Sequence, residues 1–356
     1  MNNLRIYFLF LLALLSLSGC NKEKKTVSNL SKNSFESPQG MLWVATKTFL
    51  KGAKENDPYA MPREKPAHKV KVDGFFIDIT EVTNQQFQKF VESTGYVTIA
   101  ERPIDWAEMK KNLPEGTPKP HDSILQPGSL IFNKNVKAIV NMNNYAQWWT
   151  WKIGANWKQP YGPNSSIKGK DNYPVVHIAF EDALAYCKWA NRRLPTEAEW
   201  ESAAQGIAIN NIFTWGNNFD ELNSRANTWQ GEFPIKNDSK DGFEFISPVK
   251  SYAPNSIGLF DMTGNVWELT SDLFNTNYYK ELDISKTLTN PKGAKKSYNS
   301  NNPYQIEYVM KGGSFLCHAS YCASFRISAK MGVTVDSGSD HMGFRTVATT
   351  KMLSKD

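Results

Sequence analysis

Every segment with a clear helical period lies before residue 207, and that limits the folds open to the chain. TEVTNQQFQKFVESTGY carries Thr83 followed three residues later by Gln86, a capping-box pattern, with Phe87, Phe90 and Val91 at helical spacing and Gly95 as a stop. FEDALAYCKWANR predicts a second helix over 180–192 with Leu184 and Cys187 on one face. TEAE starts a third at Thr196, boxed by Glu199 and closed by Gly206. Short β-type pieces, MLWVA (41–45) and HKVKVDGFFID (68–78), precede the first helix. Beyond 207 only short strands and turns marked by Gly, Asn, Asp and Pro remain. Such a chain is not a helical bundle. Its loops must be held by large ring-shaped side chains, and the sequence supplies eleven tryptophans and 13% aromatic residues. With no internal repeat and no dividing linker, the expectation is α+β: a single compact irregular domain with low regular secondary structure over residues 40–350.

The N-terminus sets the compartment. Arg5 precedes an apolar run from Ile6 to Leu15, too short to span a bilayer and typical of an export leader. Small residues then lead to Cys20, a lipobox pattern that predicts a lipoprotein signal peptide over 1–19 and lipidation of Cys20; an ordinary cleaved leader is the alternative. Lipid would anchor the protein on a membrane, on the periplasmic or cell-surface side. Residues 20–39 are polar and read as a flexible tether. The net charge of +6 is scattered and forms no nucleic-acid-binding stripe.

Several segments together resemble the formylglycine-generating enzyme, or sulfatase-modifying factor, family: GMLWVA, PAHKVKVDGFFIDITEVTNQQFQKFV, GANWKQPYGP, YPVVHIAFEDALAYCKWANRRLPTEAEWESAA, ANTWQGEFP, GLFDMTGNVWELTSD and KGGSFLCHASYC…GFR. RLPTEAEWE and GLFDMTGNVWE are shared across the superfamily and point to the fold. GGSFLCHASYC is more specific, because non-catalytic relatives usually lack both cysteines. The resemblance implies the formylglycine-generating-enzyme fold, remotely similar to C-type lectins. It also implies an oxidoreductase that uses O2 to convert a cysteine in a Cys-x-Pro-x-Arg segment of an unfolded or nascent sulfatase into formylglycine, acting as a monomer. The family's cysteine pair binds a single Cu(I). On that pattern the client thiolate enters as a third sulfur ligand, a hydrogen leaves its Cβ, and the resulting thioaldehyde hydrolyses.

Apart from Cys20, the chain holds Cys187, Cys317 and Cys322, an odd number that leaves at least one thiol without an intramolecular partner. Cys187, beside Leu184 and Ala190, reads as a small buried hydrophobe. Relatives pair the matching cysteine with one just after GFR, but here Thr346 stands there. Cys317 and Cys322 form either a short-loop disulfide, which constrains the unfolded chain only modestly, or a pair of soft thiolates suited to Cu(I). A Cys/His zinc site at His318 lacks a second ligand pair. By position in the motif, Ser314, Tyr321 and Trp267 match active-site residues; each also has a structural role open to it, as a turn cap or a core ring.

The resemblance further implies two calcium sites, one from Asn227, Thr228, Asp241 and Phe243, the other from Asp261, Gly264, Val266 and Glu268. Thr228, Phe243, Gly264 and Val266 would offer carbonyl oxygens, as Ca2+ in irregular loops requires; on the residues alone these stretches read as Asx turns. Departures from the family are Ser324 where an Arg is common and Val333–Gly338 where Asn-Thr-Pro-Asp-Ser-Ser is common; Arg326 is retained. Two other readings stand beside the enzyme: a non-catalytic surface lipoprotein used in secretion, motility or glycan binding, and a sulfoxide synthase. The second needs an iron-binding helical domain for which the chain lacks both length and clustered histidines.

Overall fold

In the computed structural model, residues 37–354 are described; the leader, Cys20 and most of the tether lie outside them. The first strands are β1 (Met41–Val44), β2 (Lys47–Lys51), β3 (His68–Val72) and β4 (Phe75–Asp78). HKVKVDGFFID is thus two strands. β3 pairs with β2, whereas β4 pairs with β1, and the chain turns at Asp73-Gly74. A Cβ on Gly74 would sit 2.1 Å from the Trp43 ring, so the turn packs against an aromatic and excludes any side chain. In β3 the residues alternate buried and exposed, as the His-Lys-Val-Lys-Val pattern dictates.

Helix α1 (Asn84–Thr94) has the expected capping box: Thr83 N–H donates to Gln86 Oε1 at 2.8 Å and Gln86 N–H to Thr83 Oγ1 at 3.3 Å. It ends at Gly95, in the left-handed region. After the short α2 (Trp106–Met109) come β5 (Gly128–Phe132) and β6 (Trp149–Ile153), an antiparallel pair. Helix α3 (Phe180–Trp189) stops before the sequence-based end at 192. Asn191 takes φ 53° and Arg192 N–H reaches back to the Cys187 carbonyl at 2.7 Å, a left-handed C-cap built on Asn where glycine is commoner. Leu184 and Cys187 do not share a face: Leu184 is 44% exposed, and the buried side of α3 is formed by Phe180, Ala183, Tyr186 and Cys187. At 100° per residue Leu184 lies off the centre of that stripe.

Helix α4 (Glu197–Gln205) has its Thr196–Glu199 box and ends at Gly206. Beyond it lie the four-residue α5 (Leu222–Arg225) and a small hairpin of β7 (Gly231–Glu232) and β8 (Lys236–Asn237). The later strands are β9 (Trp267–Leu273), β10 (Leu288–Thr289), β11 (Glu307–Lys311), β12 (Met331–Thr334), β13 (Met342–Gly343) and β14 (Val347–Ala348). They complete three sheets, ordered β1-β4-β14, β10-β3-β2 and β12-β11-β9-β13. The fold is α+β with low regular secondary structure.

The core explains how so little regular structure holds. Phe87, Phe90, Trp157, Tyr186 and Phe344 pack between α1 and α3 in edge-on and stacked contacts. Under β2 and α4 lies a buried ionic cluster: Glu197 meets Lys51 at 2.8 Å and Lys330 at 3.3 Å, and Glu201 meets Lys311 at 2.8 Å. Tyr279 donates to Glu197 at 2.9 Å. Loops too irregular for ladder hydrogen bonds are fixed by these charge-assisted contacts.

Candidate functional site

The cysteine loop begins where β11 ends. Gly312 (φ 89°) and Gly313 (φ 74°) turn the chain, and a Cβ on Gly313 would lie 2.8 Å from the Ser324 carbonyl. Only glycine lets the two ends of the loop come so close. Cys317 N–H donates to the Ser314 carbonyl at 2.9 Å, while Ser314 N–H points at Cys317 Sγ at 3.4 Å. Ser314 is fully buried, and its hydroxyl accepts from Leu316 N–H at 3.2 Å. It therefore shapes the turn. Next, the His318 carbonyl gathers the N–H groups of Tyr321, Cys322 and Ala323 at 3.1, 3.1 and 3.0 Å. That knot folds Cys322 back toward Cys317, with Ala323 in the left-handed region at φ 42°.

Cys317, Cys322 and Cys187 are all free thiols. Burial pushes the Cys317 thiol well up, and its hydrogen bond to Cys322 adds to this. Cys322 is held down to about 7, first by the hydrogen bond from Cys317 and then, against its burial, by the Ser324 N–H and hydroxyl. Of the two, the outer sulfur is the one that more readily carries the negative charge. Cys187 is buried and its thiol is pushed up, so it is unreactive. Opposite it in sequence, Thr346 is tied to Asp78 through its hydroxyl at 2.6 Å.

Tyr321, 37% exposed, stacks on Phe233 with centroids 4.8 Å apart and meets the edge of Trp148 at 5.6 Å. Trp267 is buried, its N–H donating to the His341 carbonyl at 2.8 Å. The His341 ring lies 4.7 Å from Trp149. His318 is engaged locally with Ser320 Oγ at 2.8 Å. The floor of the loop is fastened by Arg326, whose buried guanidinium binds Glu64 at 2.7 and 2.9 Å and Asp57 at 2.6 Å. The partners Asp57 and Glu64, and the aromatic wall of Trp148, Trp149 and Phe233, were not found by sequence reasoning. They come from segments with no periodicity, and only their residue types hinted at a role.

Among the described residues no three His, Cys, Asp or Glu side chains converge as a metal site. The two sets expected to hold calcium combine carboxylate, amide and carbonyl oxygens. In the first, Asp241 accepts from Thr228 N–H at 2.8 Å and Phe243 N–H at 3.0 Å, so these three residues form one knot with Asn227 next to it in the chain. Asn227 donates through Nδ2 to the Phe245 carbonyl at 2.8 Å, and its Oδ1 is buried without a partner. The Thr228 carbonyl already accepts from Gln230 Nε2.

In the second set Glu268 is committed on both oxygens, to Arg345 at 2.6 and 2.7 Å and to Trp200 at 2.7 Å. Asp261 Oδ1 and Glu81 Oε2 are the buried oxygens left without partners there. Burial, then the Asp261 charge, pushes Glu81 well up, and burial first of all raises Asp261 to about 6. Glu81, which sequence reasoning missed, is held by Asn265 at 3.1 Å.

Residues 26–350 match the family described as sulfatase-modifying factor enzyme 1-like domain. The formylglycine-generating enzyme of Mus musculus is 41% identical over 287 residues, covering 80% of this chain and 68% of that protein. The inactive C-alpha-formylglycine-generating enzyme 2 of Mus musculus is 34% identical, covering 86% of this chain and 85% of that one. Among solved structures, PvdO from Pseudomonas aeruginosa superposes with a TM-score of 0.56 at 19% identity, covering 87% of this chain and 94% of its own, a likeness of fold alone.

Proposed function

Because the chain belongs to the sulfatase-modifying factor enzyme 1-like family, we propose that it is a formylglycine-generating enzyme, oxidising a cysteine in a Cys-x-Pro-x-Arg segment of an unfolded sulfatase with O2. The observation that carries this is the pair of free thiols, Cys317 buried and Cys322 part-buried beside Tyr321, that the turn gathered on the His318 carbonyl folds back toward each other. Two soft thiols fit Cu(I), which when bound would supply the one-electron chemistry with O2 that closed-shell thiols lack.

The protein's own groups position and shield. Cys322, the outer sulfur and the more readily deprotonated of the two, faces an incoming client thiol, and Cys317 lies buried behind it. Tyr321, backed by Phe233 and Trp148, keeps water from the sulfur. Ser314 and the glycines before it hold the turn, and Trp267 closes the side carried by β9. In the overall change the client Cβ gives up a hydrogen and two electrons to become a thioaldehyde. Water then replaces its sulfur, giving the aldehyde and sulfide. O2 ends as two waters: it takes those two electrons with the client's Cβ and thiol protons, and two more electrons and two protons from two external thiols, which join as a disulfide.

Calcium is proposed first at Asn227, Thr228, Asp241 and Phe243, where the partnerless Asn227 Oδ1 invites a hard cation. At Asp261, Gly264, Val266 and Glu268 a cation would have to share Glu268 with Arg345 and lean on Asp261 and Glu81. The leader and Cys20 support an exported, lipid-anchored enzyme, testable by fatty-acid labelling of wild type against Cys20→Ala.

The rival reading, a non-catalytic scaffold like the relative named inactive, is disfavoured by the retained cysteine pair, which a binding scaffold does not need. Mass spectrometry of a Cys-x-Pro-x-Arg peptide incubated with the protein, Cu(I), a thiol reductant and air separates them. Conversion of the target CH2–SH to CHO is expected from wild type, and none from Cys317→Ser or Cys322→Ser, both still folded. Peptide left unchanged by copper-loaded wild type would sink the enzymatic reading.

A further inference from the structure

β9 and β11 run side by side, and the two ends of the pair lead to different places. At one end Glu268 pairs with Lys311, from which Gly312 and Gly313 carry the chain into the cysteine loop. At the other Leu273 pairs with Tyr308, and Phe274 N–H donates to the Glu307 carbonyl at 2.8 Å. Glu268 to Leu273 is about 17 Å of strand. Beyond that far end a cavity of about 750 Å³ lies between residues 275–282 and 293–298, within the range of about 300–1,000 Å³ that takes small-molecule ligands. Its walls are tied to each other and to the strand. Thr276 N–H donates to the Tyr298 carbonyl at 3.0 Å, Tyr298 N–H to the Phe274 carbonyl at 2.9 Å, and Asn275 Nδ2 to the Lys296 carbonyl at 3.1 Å. Gly293 (φ 74°) lets the second wall pass over Asp272, whose carboxylate a Cβ there would meet at 2.6 Å. A ligand therefore does not have to order these walls.

The nearby acids are mostly committed. Asp272 is buried and accepts from Glu197 N–H at 3.0 Å, and Asp283, close by in sequence, is paired with Lys286 at 2.9 Å. Glu281 is the carboxylate in the wall. Against it stand Lys295 and Lys296, exposed and in no ion pair among the described residues, with the exposed Lys280 and Lys292 next to the lining in the chain. The balance is positive. Tyr298, 47% exposed, and the half-buried Tyr278 add two rings to the lining. The Asn277 amide and the Tyr298 hydroxyl have no hydrogen-bond partner among the described residues. Ammonium groups suit a sulfate or carboxylate, the amide and phenol suit hydroxyl groups, and a tyrosine ring covers the C–H face of a sugar. A simple anion would use only the first of these.

We propose that this cavity binds an anionic saccharide, its sulfate or carboxylate held by Lys295 and Lys296 and a sugar ring laid on Tyr298. The site is separate from the cysteine loop and stands whether or not that loop oxidises a client. Isothermal titration calorimetry on the full-length protein would compare a sulfated heparin tetrasaccharide, a tetragalacturonate and neutral cellotetraose. A charged sugar should bind about ten-fold more tightly than the neutral one, as charge-assisted contacts allow, and the tighter of the two shows which anion the lysines take. Lys295→Gln together with Lys296→Gln should erase that advantage, and added salt should shrink it. Tyr298→Ala should weaken the charged sugar while leaving any binding of inorganic sulfate unchanged. Lys168→Gln together with Lys188→Gln, exposed lysines elsewhere on the protein, controls for general attraction to a chain of net charge +6 and should change nothing. Equal affinity for all three sugars, inorganic sulfate binding as tightly as the tetrasaccharide, or a control pair that weakens binding as much as the cavity pair overturns the proposal.

Discussion

Lys311 and Cys317 are six residues apart in sequence and stand for opposite uses of buried polarity. Lys311 ends β11 in the ionic cluster, where Lys51, Lys311 and Lys330 face Glu197 and Glu201, all nearly inaccessible. Beyond the two glycines, the loop holds a pair of thiols met by no ionic partner, only by N–H groups and the Ser324 hydroxyl. The same contrast recurs beside the Thr228–Asp241 knot, where calcium is proposed and Asn227 Oδ1 is left bare. Charges that are matched fix the scaffold, and the atoms left unmatched at the cysteine loop and at Asn227 are the ones proposed to take a metal. The scaffold's rigidity is what permits this, because unpaired buried donors persist only if the surroundings cannot collapse onto them.

The largest effect should come from breaking the matched side. Burial alone would push Glu197 up, but Lys330, Lys51 and Lys311 hold it well below the usual carboxylate range. Glu197→Ala leaves Lys51 and Lys330 buried without their carboxylate, while Lys311 keeps Glu201, which should cost about 3–5 kcal/mol in urea unfolding while the thiols are untouched. A loss under about 1 kcal/mol would mean that the cluster is solvated in solution and the contrast is false.

Much of this scaffold was legible in the sequence where interactions are local. The capping boxes at Thr83 and Thr196, the glycine stops and the alternation of β3 depend on neighbours a few residues away, and they form where the pattern puts them. The cysteine pair and its glycines were legible for the same reason. The helix end at Asn191 and the exposure of Leu184 were misread because the cap used Asn and because tertiary packing, not the count of apolar residues, chose the buried face. The ionic cluster spans residues 51 to 330, and the clamp on the cysteine loop joins Arg326 to Asp57 and Glu64. Such pairings follow from chain topology, which no local pattern encodes.

Smaller in effect, and aimed at the unmatched side, is removal of calcium. A ligand bound only to the native state at a hundred times its Kd adds about 2.7 kcal/mol, so EDTA should lower Tm and Ca2+ restore it. Asn227→Ala should remove the share of that response that belongs to the first site. A Tm unmoved by EDTA, together with no calcium in elemental analysis of untreated protein, would leave the bare Oδ1 without its cation and remove one of the two examples on which the contrast stands.

The smallest effect tests which side of the contrast Cys187 belongs to. It is a free thiol like the site pair, yet it lies on the buried stripe of α3, packed with Ala183 and Tyr186 in the apolar core and raised by burial out of the reactive range. If reactivity follows from the loop and not from the thiol as such, Cys187→Ser should cost only about 1 kcal/mol for burying a hydroxyl. Copper uptake by the reduced protein and conversion of the client peptide should stay at wild-type levels. The test compares Cu(I) stoichiometry in wild type and variant by competition with a chromophoric chelator. A variant that folds normally but takes up less copper would place Cys187 among the site's ligands, and the division drawn here between matched scaffold and unmatched site would fail at its plainest point.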